Sequence, residues 1–510
     1  MGHETLRLAL RQLLTVAPGQ DKHELQRGLT RLGLRGIDTR QINQTLYRGR
    51  ANFACDGATP PRWRLAGETR RRGSSYAGNE PRAWQREALA AWRAEGRRGV
   101  VEAVTGTGKT TVGILAAAEA VDAGERVLIL VPGTELLEQW HAVLRRDLPT
   151  LRIGRLGSGH RDSLSDHDVV VAVVNSAAID PVVPRGYPAL IVADEVHRYG
   201  APFFARALSG GFGARLGLTA TFTREDDLLE QNLMPYFGPV VASCSYQRGL
   251  ADSILAPFRI AFVGADFTAA ERERHDECES RMKDARNRLV FDHGCPAEPF
   301  GEFIKAVNRL AQPDNVHAAA CRVARKYLAA FSMRRRTLAD CQSKYGLLAD
   351  LAPAFAVANR GLVFGESKVC AVRSAEVLTA CGVPATSMTS ALPKAERRRR
   401  LDDFRQGRVA VLTAPKVLDE GIDVPEADLG IVMAASSSKR QMIQRLGRVI
   451  RPKSGGGPAT FFVAFVRGTA EDPGNDAHKD FREALTEVAQ EVKYFGRAAR
   501  ATELLEWHIS

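Results

Sequence analysis

A chain of 510 residues is too long for one typical domain and predicts about three or four. Its 45% hydrophobic content supports ordinary packed cores, and a net charge of +12 suits a partner with a phosphate backbone as well as it suits a solvated basic surface. The eight cysteines include no Cys-x-x-Cys pair, which argues against a zinc site or an iron–sulfur cluster and for reduced thiols in a cytoplasmic protein.

In chain order, residues 1–66 read as a small separate unit. Leu6, Leu10, Leu13 and Leu14 form one helical stripe, and Leu25, Leu29 and Leu32 form a second. A third helix begins near Ile42, and β-like pieces follow at 51–54 and 62–65. Three helices and a hairpin predict a winged helix. Met1 leads into an amphipathic pattern rather than a signal peptide. The segment 67–80, with Arg70, Arg71, Arg72 and Gly73, reads as an exposed linker. Residues 81–263 alternate apolar runs with helical stretches, as a parallel-sheet α/β domain does. From 264 to 358 charged amphipathic helices replace the strands. A second α/β pattern covers 359–468, and 469–510 reads as a helical tail. The longest apolar runs, such as 127–131, are of strand length and cannot span a bilayer. The fold class expected is α/β: two parallel-sheet domains, a helical insertion between them and an N-terminal winged helix.

The strongest motif is the run Thr105-Gly106-Thr107-Gly108-Lys109-Thr110-Thr111, which follows an apolar strand and opens a helix. Glycines there let backbone N–H groups close around phosphate oxygens at a helix N-terminus. This is a P-loop, in which Lys109 reaches the β/γ-phosphates and the Thr110 hydroxyl sits on Mg²⁺. Ala103 stands where the strict pattern has glycine. Downstream, the apolar run 189–193 ends in Asp194-Glu195-Val196-His197. A buried parallel strand would deliver both carboxylates to the sheet's C-terminal edge beside the P-loop. Asp194 is then the Mg²⁺ carboxylate, and Glu195 the base that orients and deprotonates the attacking water. Thr219-Ala220-Thr221 follows another short strand and fits a coupling role between the γ-phosphate site and the second domain. In that second domain, Arg448 and Arg451 are three residues apart on one helix face. They are candidates for arginine fingers supplied across a cleft. Upstream of the P-loop, Arg82 and Gln85 occupy an adenine-reading position, since a glutamine amide can pair with both N6 and N7.

Together these motifs resemble the superfamily 2 helicases, and specifically their XPB-like branch. Val417-Leu418-Asp419-Glu420-Gly421-Ile422-Asp423-Val424-Pro425 and Ile443-Gln444-Arg445-Leu446-Gly447-Arg448 carry the resemblance in the second domain. It implies further nucleotide contacts at Gly421, Asp423 and Gln444. Arg224-Glu225-Asp226 looks like the family's Arg-Glu-Asp element, implicated in DNA opening, and the segment 132–140 with Thr134 looks like the strand-contacting motif Ia. The resemblance also implies a thumb-like element in the helical block. The N-terminal unit resembles the Zα winged helix, through Asn43 and Tyr47 of a recognition helix and Pro60, Pro61 and Trp63 of a wing. Thr39 and Gln44 stand where that family places basic phosphate contacts, so a generic duplex contact is better supported than a left-handed preference.

The function these resemblances imply is an ATP-dependent DNA helicase or translocase of 3′ to 5′ polarity. ATP and Mg²⁺ are its cofactors, and single-stranded, duplex or junction DNA is its partner. No membrane is expected. No nuclease motif is evident, so any cutting would come from a protein partner. Two other readings stay open on the sequence: an RNA-remodelling ATPase of the same superfamily, and a nucleic-acid-sensing ATPase clamp that acts through partners in repair or defence.

Overall fold

A computed structural model describes the chain apart from residues 1–2, 17–19, 49–52, 56–60, 66–74, 185, 224–226, 313–317, 416–426, 434–441, 443–445, 448, 450–457, 476, 478, 497–500 and 510. Two compact units result: residues 1–76 together with 118–125, and residues 77–117 together with 126–510.

Among the described residues of 1–76, the smaller unit has the helices α1 (His3–Val16), α2 (Lys22–Arg31) and α3 (Thr39–Arg48). Strands β1 (Phe53–Cys55) and β2 (Trp63–Leu65) pair antiparallel. The start of α2 is set by a capping box. Asp21 Oδ1 accepts from Glu24 N at 2.9 Å, and Glu24 Oε2 accepts from Asp21 N at 2.8 Å. Leu6, Leu10, Leu14, Leu25, Leu29, Ile42, Leu46, Phe53 and Trp63 form one core, so the leucine stripes read from the sequence do face inward. Leu32 is the exception at 43% exposed, because α2 ends one residue before it. Residues 118–125 belong with this unit because Ser75 bonds through its backbone N and its Oγ to the Asp122 carboxylate.

The larger unit contains two sheets. The first has the order β10-β3-β9-β8-β4-β7-β5-β6. Its strands are β3 (Arg98–Ala103), β4 (Arg126–Val131), β5 (Ile153–Gly157), β6 (His160–Arg161), β7 (Val169–Val173), β8 (Ala189–Asp194), β9 (Ala214–Thr219) and β10 (Val240–Cys244). Only the β5–β6 pair is antiparallel. Strands β7, β8 and β9 are buried along their whole length, which fits the apolar runs of β7 and of β8 up to Asp194; β9 also buries Arg215 and Thr219. The second sheet runs β13-β14-β12-β15-β16-β11-β17, with every pair parallel. It consists of β11 (Phe258–Ala265), β12 (Gly361–Phe364), β13 (Ala385–Ser387), β14 (Val411–Ala414), β15 (Leu429–Val432), β16 (Ala459–Val466) and β17 (Glu491–Phe495).

Two expected boundaries move. The first α/β unit was expected to run to 263, but β11 belongs to the second sheet, where Phe258 pairs with Ala459. A short apolar run carries no mark of which sheet it joins, and its partner lies some two hundred positions further on. The tail expected to be helical contains β17, which forms an edge of the second sheet beside β11. Between the sheets, the helical block holds Ala269–Phe291, Phe300–Leu310, Ala318–Ala339, Gln342–Asp350 and Ala352–Val357. Thr268 caps the first of these with a second capping box to Glu271. Among the described residues, no helix is long and apolar enough to cross a membrane.

Candidate functional site

The site lies at the C-terminal ends of β3 and β8. Strand β3 feeds residues 104–108, after which helix α5 (Lys109–Asp122) begins. Gly106 and Gly108 take φ values of +94° and +90°, a left-handed geometry open to glycine at little cost. Thr107 is fully buried, and its Oγ1 donates to Val104 O at 2.7 Å. Helix α4 (Ala83–Ala94) braces the loop from outside. Arg82 Nη1 donates to Thr107 O at 3.2 Å, and Gln85 Nε2 donates to Gly108 O at 3.1 Å. Gln85 Oε1 in turn accepts from Arg82 N at 2.8 Å. The amide expected to read adenine is therefore buried and bonded within the protein at both ends. It fixes the loop's shape: a Cβ added at Gly108 would lie 2.7 Å from Gln85 Nε2.

Strand β8 ends at Asp194, whose carboxylate is held from two sides. Trp140 Nε1 donates to Asp194 Oδ2 at 2.8 Å, and Glu195 N donates to Asp194 Oδ1 at 3.0 Å. Tyr199 OH donates to the Asp194 carbonyl at 2.6 Å. Burial, and then the neighbouring Glu195 carboxylate, push Asp194 above the usual carboxylate range; the Trp140 N–H and the Lys109 ammonium pull the other way. Glu195 sits at φ +53°, an unfavourable conformation for a residue with a side chain, of the kind that collects at functional sites. Its Oε2 is buried with no hydrogen-bond partner and lies 3.5 Å from His197 Nδ1. His197 Nδ1 is 2.9 Å from Thr219 Oγ1, and Thr219 Oγ1 donates to Thr221 O at 2.9 Å. With that hydroxyl proton given to Thr221 O, the 2.9 Å contact fits His197 donating from Nδ1. These bonds link His197, two residues past Glu195, to the Thr219-Ala220-Thr221 segment.

Helix α6 (Thr134–Asp147) supplies Trp140 and begins at Thr134, whose Oγ1 donates to Glu135 Oε2 at 3.0 Å. The second sheet's layer reaches the site at two described points. A Cβ added at Gly447 would lie 2.6 Å from Thr105 Cβ and 3.0 Å from Thr105 O, so this segment packs directly on the P-loop. Arg397, on the helix Lys394–Arg405, pairs with Glu135 at 3.3 Å. On the same helix Arg400 Nη1 donates to Ser387 O at 2.6 Å.

The expected residues Gly421, Asp423, Gln444, Arg448, Arg451, Arg224, Glu225, Asp226 and Pro60 lie outside the described residues. In the smaller unit, Tyr47 is 43% exposed and Pro61 partly so. Trp63, expected in a wing contact, is a core residue at 1% exposed. Its ring meets Tyr47 edge-on at 4.7 Å. Asn43 Oδ1 and Trp63 Nε1 are buried without hydrogen-bond partners. Sequence inspection missed Trp140, because nothing in the sequence links it to a carboxylate 54 positions away. It also missed Gly113, where a Cβ would lie 2.7 Å from Trp140 Cη2; a glycine inside a helix was the one available sign.

Comparison with known proteins agrees with this geometry. The family description "Type III restriction enzyme, res subunit" matches residues 79–224, and "Helicase conserved C-terminal domain" matches residues 343–453. The DNA 3'-5' translocase XPB2 of Sulfurisphaera tokodaii is 31% identical over 396 residues, covering 77% of this chain and 83% of that protein. The DNA 3'-5' helicase XPB of Kineococcus radiotolerans is 28% identical over 406 residues, covering 75% of this chain and 59% of its own length. Among solved structures, S. cerevisiae Dbp5 bound to RNA and ADP BeF3 aligns at a TM-score of 0.55 and 14% identity, covering 84% of this chain and 92% of that one. The type ISP restriction-modification enzyme LlaBIII bound to DNA aligns at 0.52 and 16%, covering 85% of this chain and 32% of that one. These two likenesses show the fold alone. The chain belongs to the XPB family of superfamily 2 helicases and is a nucleic-acid-dependent ATPase of the helicase class.

Proposed function

We propose that this chain is an ATP-dependent DNA translocase or helicase of 3′ to 5′ polarity, working on single-stranded, duplex or junction DNA in the cytoplasm. One observation carries the reading: the P-loop, the Asp194-Glu195 strand end and Gly447 of the second sheet's layer converge on one site. The left-handed glycines and the unbonded Glu195 Oε2 fit a bound ATP·Mg²⁺ and an attacking water. Lys109 takes the β/γ-phosphates, and residues 105–111 contact the nucleotide. Thr110 and Asp194 would hold the ion, which would supply charge neutralisation at the phosphates. Glu195 orients the water and accepts its proton. Arg448 and Arg451 complete the site from the second domain, with Gly421, Asp423 and Gln444 as further contacts. Arg448 is the next residue after Gly447, which supports that assignment. Arg82 and Gln85 brace the loop. Closure on ATP and reopening after hydrolysis grip the strand differently, and that difference drives stepping. Thr134 and the Arg224-Glu225-Asp226 element contact DNA, mostly through phosphates and sugars, so sequence preference is weak. Any cutting requires a protein partner.

The test is ATP hydrolysis by the full chain with single-stranded DNA, duplex DNA or RNA of equal length. Stimulation by DNA well above that by RNA is expected. Stimulation by RNA alone would favour a remodelling ATPase. Stimulation by DNA with no strand movement would favour a sensing clamp. Binding should also weaken steeply with salt, because each neutralised phosphate releases counterions. Filter binding between 50 and 200 mM salt, a range spanning about 10³–10⁵ in affinity for proteins with roughly six to ten phosphate contacts, checks this. A flat curve would indicate an apolar or protein partner.

We further read residues 1–66 as a winged-helix module for duplex DNA. Asn43, Tyr47, Pro60 and Pro61 form its contact surface, with Trp63 supporting Tyr47 from the core. Deleting 1–66 should leave basal ATP hydrolysis within about twofold, because the proposed catalytic groups all lie beyond residue 80. Duplex affinity should fall, as gel shift would measure. A folded truncation with unchanged duplex affinity would make the module a protein-docking surface.

A further inference from the structure

Helix α6 touches the site at its middle and the second sheet's layer at its start. In its first turn Glu135 pairs with Arg397 at 3.3 Å. Five residues on, about 7.5 Å along the helix axis, Trp140 Nε1 donates to Asp194 Oδ2 at 2.8 Å. Trp140 is buried, and an indole N–H can only donate. The other carboxylate oxygen accepts from Glu195 N at 3.0 Å. The plane of the Asp194 carboxylate is therefore fixed by one backbone donor just past the end of its strand and one side-chain donor on α6. Packing leaves no slack behind the indole: a single Cβ on Gly113 would lie 2.7 Å from its Cη2. In an interior this dense, a shift of α6 along its axis is passed to the indole rather than absorbed.

We propose that Trp140 is a positioning residue for Asp194, and that α6 carries to it the docking of the second sheet's layer through the Arg397–Glu135 pair. The inference rests on reading Asp194 as the Mg²⁺ carboxylate. When Arg397 engages Glu135, α6 is held where the indole N–H meets Asp194 Oδ2, and the carboxylate is kept in one orientation. When the pair parts, α6 is free to move and that orientation relaxes. Hydrolysis is thereby tied to closure by a second route, separate from the interdomain arginines.

The Trp140→Phe variant keeps an aromatic ring and removes the donor. A hydrogen bond to a charged group supports an expected loss of about tenfold or more. That loss should appear in kcat and in the Mg²⁺-dependent tightening of a fluorescent ATP analogue measured at equilibrium. Analogue binding without Mg²⁺ and the melting temperature should stay near wild type. Arg397→Glu and Glu135→Arg should each lower nucleic-acid stimulation of hydrolysis, and the swapped pair should restore it. The swap decides the matter even where Trp140→Phe folds poorly, because both of its side chains are partly exposed. Unchanged Mg²⁺ dependence in a folded Trp140→Phe protein, or failure of the swap to restore stimulation, overturns the proposal. Asp194→Asn separates the two levels. If it keeps Mg²⁺-dependent binding, the reading of Asp194 itself fails; if it loses that binding while Trp140→Phe does not, only the role of Trp140 fails.

Discussion

Glu195→Gln is expected to hold ATP about as well as the native protein and to turn it over at least about 10²-fold more slowly, the lower end of what a positioned general base contributes. The amide is isosteric with the carboxylate, so the backbone at φ +53° and the Asp194 hydrogen bonds need not move. What is lost is the ability to take a proton from water. Among the described residues Glu195 Oε2 has no hydrogen-bond partner, so the amide breaks no hydrogen bond at that oxygen and loses only the charge facing His197 Nδ1 at 3.5 Å. Lys109→Ala is the contrasting variant: it should weaken nucleotide binding itself, because it removes the cation that meets the phosphates. Equilibrium binding of a fluorescent analogue and single-turnover hydrolysis distinguish the two. Normal turnover in Glu195→Gln would assign the base elsewhere.

The second large effect concerns Arg448 and Arg451. Each replaced by Ala should bind ATP and hydrolyse it poorly, with losses that reach about 10³-fold for an arginine supplied across a cleft. The supporting geometry is that of their neighbours. Gly447 packs against Thr105 with no room for a side chain, and Leu446 and Val449 are buried in the core of the second sheet. The chain is thus held on both sides of Arg448 while passing the P-loop. Wild-type rates in both variants would remove the closed-cleft account. Gly447→Ala offers a milder form of the same test, since its methyl group would press on Thr105.

How much was legible in the sequence follows from the range of the interactions involved. The P-loop, the Asp194-Glu195 strand end and the Thr219 to Thr221 segment are local patterns, in which a strand, a turn and a few side chains lie within ten residues. These could be read directly, and the structure brings them together at the sheet edge. The hydrophobic periods also located the N-terminal helices and both α/β patterns. What could not be read depends on pairing between distant segments. Strand β11 joins a strand some two hundred residues later, and β17 adds an edge where only helices were expected. The indole of Trp140 looks like any core aromatic until the fold sets it beside Asp194. Gln85 shows the opposite limit. Its position was found, but an amide with two bonding ends could serve either a base or the loop. The structure uses both ends on the protein. Trp63 likewise lay in the expected place, yet burial makes it a support rather than a contact.

The most direct measurement of the central claim is strand displacement by the full chain on matched duplexes carrying a 3′ or a 5′ single-stranded tail, with the Glu195→Gln protein as control. The account predicts ATP-dependent displacement from the 3′-tailed duplex, little or none from the 5′-tailed one, and none with Glu195→Gln on either. Equal displacement from both duplexes, displacement that persists in Glu195→Gln, or vigorous DNA-stimulated hydrolysis with no displacement and no translocation along duplex would contradict it.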